Sequence, residues 1–338
     1  MAKKTQPKVT VTLYVRGKCP LCDEAKADLK ALQEVVPHRL AVIDVDSDPA
    51  IKDAYGPQVP VVEAGPYRLD APFSRQQLRM TLGAATDRRE QLERINDKAF
   101  QVNTSRSQQI SRADRVSYWI SRHYLAVFNL FLLLYIGLPF MAPVFKKAGW
   151  DAPAEVIYRA YRPLCHQWAF RSFFLFGEQP YYPRASAGVS GVLTFEQVSG
   201  LNDLNDPDRN QARLFEGDAT LGYKLALCER DTAIWGAMAL FGLLYAATGR
   251  RLPKLHWLIW FLVGLVPIGL DGFSQLFSQL NLSFLQSILP YRESTPLIRA
   301  LTGFLFGGST AWLMFPLLEE SMADSRRQLA KKFAVLKS

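Results

Sequence analysis

An uncharged run of bulky apolar residues at positions 124–144 constrains this chain most. It is long enough to cross the hydrocarbon core of a bilayer, and a helix is how a single segment satisfies its own backbone there. Three further apolar runs follow at residues 232–248, 255–271 and 297–318; the second of these takes in Asp271 and the last is broken by Arg299. Four transmembrane helices are therefore expected in an all-α membrane domain at 121–320. The first hundred residues are rich in charge, so the composition divides the chain into a soluble module and a membrane module. Residues 156–177 are aromatic yet hold Arg159, Arg162, His166 and Arg171, and they read as an interfacial helix.

The formal net charge is +9, and much of the excess lies beside the apolar runs. Arg250, Arg251 and Lys254 sit between two of them, Arg326, Arg327, Lys331, Lys332 and Lys337 follow the last, and Arg106, Arg112, Arg115 and Arg122 precede the first. With four spans these three basic segments share one side, which the positive-inside rule makes cytosolic. Residues 1–8 are polar and basic with no apolar stretch behind them, unlike a secretory signal. Both termini are thus expected in the cytosol, residues 321–338 as a basic tail and residues 86–120 as a basic polar linker with a flexible stretch at 101–110. The loop at 145–231 then faces outward, with the Asn/Asp-rich stretch at 202–210 as a surface excursion. The lipid bilayer is the expected partner. Nucleic acid is not, because the excess charge already has a membrane explanation.

The soluble module begins with a strand, in which Val9, Val11, Leu13 and Val15 alternate with polar residues. A helical pattern follows through Leu21, Ala25, Leu29 and Leu32. A second strand is expected near 39–45, a small helix within 46–54, strands at 59–62 and 67–69, and a helix at 74–82 with Ser74 as its N-cap. At the first strand–helix junction stands Cys19-Pro20-Leu21-Cys22. Cys19 would start the helix, where unpaired N–H groups and the positive dipole end stabilise a thiolate. Arg16 and Lys18 add positive charge, and Asp23 and Glu24 oppose it. Cys22 lies one turn on, placed to resolve a mixed disulfide at Cys19.

The β-α-β-α-β-β-α order, the C-P-L-C motif and Val59-Pro60 some forty residues later make residues 1–85 resemble the glutaredoxin-like branch of the thioredoxin superfamily. The resemblance implies an α/β thioredoxin-like domain with Cys19 as nucleophile, Cys22 as resolving thiol, and Pro60 cis beside them. It further implies substrate contacts from Val59, Arg16 and Lys18. No cofactor is required. The Gly-Gly turn by which glutaredoxins hold glutathione is absent, Gly65-Pro66-Tyr67-Arg68 standing in its place. Glutathione and protein thiols are therefore both candidate partners. A metal-binding pair and a redox-dead binding module are the other readings of the two cysteines.

Polar residues crowd the outer ends of the expected spans: Cys165-His166-Gln167, Arg171, Cys228-Glu229-Arg230-Asp231, Asp271 with Gln275, Arg292, Glu293, Arg299 and Thr302-Gly303. Residues 158–318 resemble a family of predicted bacterial membrane proteins sharing Cys-His-Gln, Cys-x-Arg and Asp-Gly-x-x-Gln, which implies a bacterial cytoplasmic (inner) membrane. Charged groups at membrane depth are costly and mark a pathway or a paired site. Arg230 with Asp231, and Arg299 with Asp271, are the expected pairs. Cys165 and Cys228 are open to three readings: an external disulfide, a redox-active pair, or a metal site with His166 and Asp271. For the whole chain, a membrane-tethered thiol–disulfide oxidoreductase stands first. A transporter or metal-handling protein with a redox-sensing N-terminal domain, and a non-catalytic thioredoxin-fold module on a membrane scaffold, stand beside it.

Overall fold

The computed structural model describes residues 9–95, 98, 109–201, 206–280 and 290–337. The expectations for residues 1–8, for 101–108 within the linker and for 202–205 lie outside them. The chain forms two compact units, Met1–His123 with Glu320–Ser338, and Tyr124–Glu319.

In the first unit β1 (Val9–Val15), β2 (His38–Asp44), β3 (Val61–Ala64) and β4 (Tyr67–Asp70) make a four-stranded sheet in the order β2-β1-β3-β4. β1 and β2 run parallel, joined by α1 (Pro20–Leu32), and the other pairs are antiparallel. The period of two in β1 divides the core between two faces. Val9, Val11 and Leu13, with Val62 and Ala64, pack against Leu29 of α1 and against Leu78 and Leu82 of α3 (Arg75–Arg94). Ser74 caps α3 in a reciprocal box: its Oγ accepts from Gln77 N–H at 3.3 Å, and Gln77 Oε1 accepts from Ser74 N–H at 2.7 Å. α3 runs twelve residues past the expected end at 82, so the first part of the expected linker is helix.

The opposite face of the sheet holds Tyr14, Ile43, Val45 and Val61, closed by Ile51 of α2 (Pro49–Tyr55) and by Ala330 and Ala334. The last two belong to the segment expected as a basic tail. It is the end of a 42-residue helix, Pro296–Lys337, and it lies on the sheet face. Lys331 Nζ donates to Glu63 Oε2 at 2.7 Å, and Glu63 also accepts from the hydroxyls of Tyr14 (3.2 Å) and Tyr55 (3.1 Å). The tail is further fixed by Lys332 with Asp114 at 2.8 Å, by Arg326 donating to the Ser121 carbonyl at 2.6 Å, and by Phe333 edge-on to Tyr118. A sheet needs both faces covered, and here the chain's last turns supply part of the second layer.

The second unit contains most of α4 (Arg112–Lys147), then α5 (Asp151–Tyr161), α6 (Phe195–Ser199), α7 (Asp206–Leu214), α8 (Glu229–Ala247), α9 (Trp257–Ser278, with a π-helical stretch at Trp260–Leu265) and the first part of α10 (Pro296–Lys337). Between α5 and α8 lies a small antiparallel sheet of β5 (Ser172–Leu175), β6 (Gly217–Asp218) and β7 (Gly222–Cys228) in the order β5-β7-β6. The helix expected over 156–177 is thereby corrected. α5 stops at Tyr161, two residues before Pro163, which has no N–H to continue the helical hydrogen-bond ladder. The rest of that stretch is a 3-10 turn, Ala169–Arg171, and β5.

Three helices, α4, α9 and α10, are long and apolar enough to cross a membrane. The remaining expected span, 232–248, is helix α8, which opens on the charged residues Glu229, Arg230 and Asp231 and is not among the three. α8 and α10 approach closely through glycines. A Cβ at Gly303 would fall 2.7 Å from the Arg230 carbonyl oxygen, and one at Gly307 would overlap the Ile234 backbone. This small-xxx-small spacing is how helices pack within lipid. Asn129 of α4, buried, donates to the Gly242 carbonyl of α8 at 2.9 Å.

Candidate functional site

In the first unit β1 ends at Val15 and the loop turns through Lys18, which takes a left-handed φ of 57°. Cys19 is then the N-cap of α1, with Pro20 at its first position. Cys19 Sγ accepts from Cys22 N–H at 3.2 Å, and its carbonyl accepts from the N–H groups of Cys22 (3.0 Å) and Asp23 (3.2 Å). The sulfurs of Cys19 and Cys22 are joined as a disulfide. Cys19 is half-buried, and Cys22 is 2% exposed. The pair therefore has an outer and an inner sulfur, which is the arrangement a nucleophile and a resolving thiol need.

The surroundings separate the expected contacts. Arg16 spends its charge on Asp46 at 3.1 Å, which Lys52 also holds at 2.9 Å. The Lys52 hydrogen bond, helped by Arg16, keeps the exposed Asp46 carboxyl below its ordinary value. Lys18 is exposed. Val59-Pro60 is cis, as the resemblance implies, and so is Ala71-Pro72, which no motif announces. Arg68 binds Asp70 at 2.8 Å and Gln58 at 2.7 Å, with its guanidinium over Tyr55. The turn where glutaredoxins carry Gly-Gly thus ends in a strand charge already paired to its own strand. Glu63 was missed by the sequence reading; it follows Val61 on the same face of β3, where a carboxylate in an apolar strand calls for a partner.

In the second unit the polar residues expected at the span ends divide into three groups. Gln167, buried with a φ of 54°, is a structural clasp. Its side chain donates to the carbonyls of Tyr158 (3.0 Å) and Ala226 (2.9 Å), and its own carbonyl accepts from Lys224 Nζ at 3.0 Å. Burial pushes that lysine down to about 7.

The second group is an ion-pair network around two buried carboxylates. Glu293 accepts from Arg171 Nε (2.8 Å) and Nη2 (3.0 Å), from Gln275 (3.1 Å) and Gln279 (3.1 Å), and from Arg299. Asp271 accepts from Arg292 (2.8 Å), from Ser294 (2.8 Å) and from Arg230. Arg299 also meets Glu229 at 3.5 Å. The expected pairs, Arg230 with Asp231 and Arg299 with Asp271, are thus exchanged for partners up to 70 residues away. Beside the network is a cavity of about 450 Å³ whose wall includes His166, Trp168, Arg171, Arg184, Arg230 and Glu293. His166 is exposed and packs on Trp168, 4.9 Å between ring centres, so it stands apart from the cysteines.

The third group is Cys165, Cys228 and Asp231. Their Sγ and carboxylate atoms all lie within 4.8 Å of one another. Both cysteines are free thiols, so the expected external disulfide is not formed here, and Asp231 stands where His166 and Asp271 were expected. Cys228 closes β7 and caps α8, and its N–H donates to Cys165 Sγ at 3.3 Å. That contact between the thiols holds Cys165 below its ordinary value, while the same contact and burial push Cys228 up.

Residues 10–83 match the family model described as "Glutaredoxin-like domain (DUF836)". Residues 219–313 match the one described as "Predicted membrane protein (DUF2085)" and take in Cys228, Arg230, Asp231, Asp271, Gln275 and Arg299. An uncharacterized protein of Methanocaldococcus jannaschii is 23% identical over 210 residues, 60% of this chain and 96% of that one. No solved structure matches the chain.

Proposed function

We propose that this chain, a glutaredoxin-like domain joined to a membrane domain, is a membrane-tethered thiol–disulfide oxidoreductase. The observation that carries the reading is the half-buried Cys19 sulfur at the N-terminus of α1, with Cys22 buried behind it. In the reduced pair the Cys19 thiolate attacks a substrate disulfide, forming the Cys19–substrate bond and releasing one substrate thiol. Cys22 loses its proton and attacks Cys19 Sγ, and the second substrate thiol leaves. The substrate gains two electrons and the Cys19–Cys22 disulfide remains, to be reduced by an external thiol, either a protein or a small one. The absent Gly-Gly turn and the self-paired Arg68 favour a protein thiol over glutathione.

Topology supports a tether on the cytosolic side. The glutaredoxin-like domain and residues 320–337 are parts of one compact unit, which fits an even number of crossings. α4, α9 and α10 are long and apolar enough for three crossings. α8 is the fourth, and its glycine-mediated packing on α10 fits a helix within lipid. The basic residues 249–254 and the basic tail then share the cytosolic side. The test is disulfide reduction by the full chain in vesicles. Cys22→Ser should accumulate a mixed disulfide at Cys19, and Cys19→Ser should be inactive. A Cys19→Ser protein with full reductase activity overturns the reading.

A further inference from the structure

Away from the glutaredoxin-like domain, Cys165, Cys228 and Asp231 converge from three places: the turn after α5, the end of β7, and the first turn of α8. Each sulfur receives a backbone N–H, Cys165 from Cys228 at 3.3 Å and Cys228 from Asp231 at 3.5 Å. Such bonds fix where each sulfur points. Cys165 is walled by Ala154, Ile157, Tyr158, Tyr161 and Ala226, an apolar shell that excludes water from one side. The guanidiniums nearby in the fold are committed elsewhere: Arg171 to Glu293, Arg230 to Asp271, and Arg299 to Glu229 and Glu293. Among the described residues no side-chain cation pairs with Asp231. Two thiols and a carboxylate thus face one another, and the carboxylate has no ion-pair partner among the described residues.

We propose that Cys165, Cys228 and Asp231 form a binding site for a thiophilic divalent cation of the zinc class. Sulfur with carboxylate selects zinc over the hard cations magnesium and calcium. Tetrahedral bonds of about 2.3 Å to sulfur set ligand atoms roughly 3.7 Å apart. The three atoms already lie within 4.8 Å of one another, so rotations that close them by about an ångström complete the site. Three protein ligands leave a fourth position for water or another donor. The chemistry balances simply: two S–H bonds break, two metal–sulfur bonds form, and two protons go to solvent. This site is independent of the thiol–disulfide reading, because it uses neither Cys19 nor Cys22.

The experiment uses the full chain in detergent, reduced and stripped by chelator, then titrated with Zn²⁺ and with Co²⁺ as a spectroscopic probe. The starting protein is the Cys19→Ser/Cys22→Ser variant, which leaves Cys165 and Cys228 as its only thiols. One equivalent of zinc should bind, and Co²⁺ should give a thiolate-to-metal charge-transfer band. Cys228→Ser should lose the zinc. Asp231→Asn, which keeps both sulfurs and the helix cap, should keep the band and bind at least tenfold more weakly. The proposal is overturned if the starting variant binds no zinc. It is equally overturned if Cys165→Ser/Cys228→Ser still binds one equivalent, or if the freshly isolated protein holds Cys165 and Cys228 as a disulfide.

Discussion

Replacing Lys331 with Met should loosen the last turns of the chain from the sheet they cover. The change keeps most of the aliphatic stem and removes the charge that meets Glu63 Oε2 at 2.7 Å. Glu63 is 16% exposed and Lys331 is 41% exposed, so water screens the lysine end. Exposed ion pairs contribute roughly 0.2–1 kcal/mol and buried hydrogen bonds to charged groups roughly 1.5–3. A half-wet pair falls between them, at about 1 kcal/mol, which is about fivefold in the docking equilibrium. The assay is amide hydrogen exchange of residues 322–336 in the full chain. Lys331→Met should exchange about fivefold faster there, and Glu63→Gln combined with Lys331→Met should be no faster than the more severe single change. Acidity adds a second handle. Burial pushes the Glu63 carboxyl up, but Lys331, Tyr55 and Tyr14 outweigh it and hold the group below its ordinary value. A depressed carboxyl contributes stability above its unfolded value, near pH 4.3, and loses it as pH falls through the folded value. The protection of the tail amides, taken relative to their intrinsic exchange at each pH, should therefore fall below about pH 4.3 in the native chain and not in Glu63→Gln. Unchanged exchange in Lys331→Met, together with unchanged exchange in Ala334→Asp, would refute the docking.

Three further outcomes are expected. Gly307→Leu drives a side chain into the Ile234 backbone, and overpacking of about 1–3 kcal/mol should lower the thermal midpoint of the detergent-solubilised protein. Arg299→Met strips a buried cation from both Glu229 and Glu293; at about 3–5 kcal/mol it should abolish the monodisperse peak in size-exclusion chromatography, and Arg299→Lys should restore it only in part. Gln167→Ala takes the amide donor from the Ala226 carbonyl and one of two donors from the Tyr158 carbonyl, which keeps Arg162 N–H, and a loss of about 1–3 kcal/mol should appear as faster proteolysis of the segment between α5 and β7.

The glutaredoxin-like domain was legible because its signals are local. Alternation in β1, the helical period after Cys19, and Ser74 three residues before Gln77 each state their own structure. What escaped was carried by distant partners. The tail reads as a solvated basic segment, since Lys331 and Lys332 advertise charge while Ala330 and Ala334 form too small an apolar stripe to announce a buried face. Its partner Glu63 lies 268 residues away. The span-end charges were found as a set but mispaired, because adjacency in sequence favoured Arg230 with Asp231 while the fold brings Asp271 to Arg230. The stretch at 156–177 misled by its aromatics, which serve a small sheet and its loops instead of one helical face.

The tail's place in the sheet also sets the order in which the protein can be made. A ribosome emits the strands β1 to β4 well before Ala330, Lys331 and Ala334, with the apolar helices α4, α9 and most of α10 in between. Until then one face of the nascent domain lacks part of its cover, a standing target for chaperones and proteases. A copy expressed as residues 1–95 alone should be soluble only when a peptide of residues 320–338 is supplied with it.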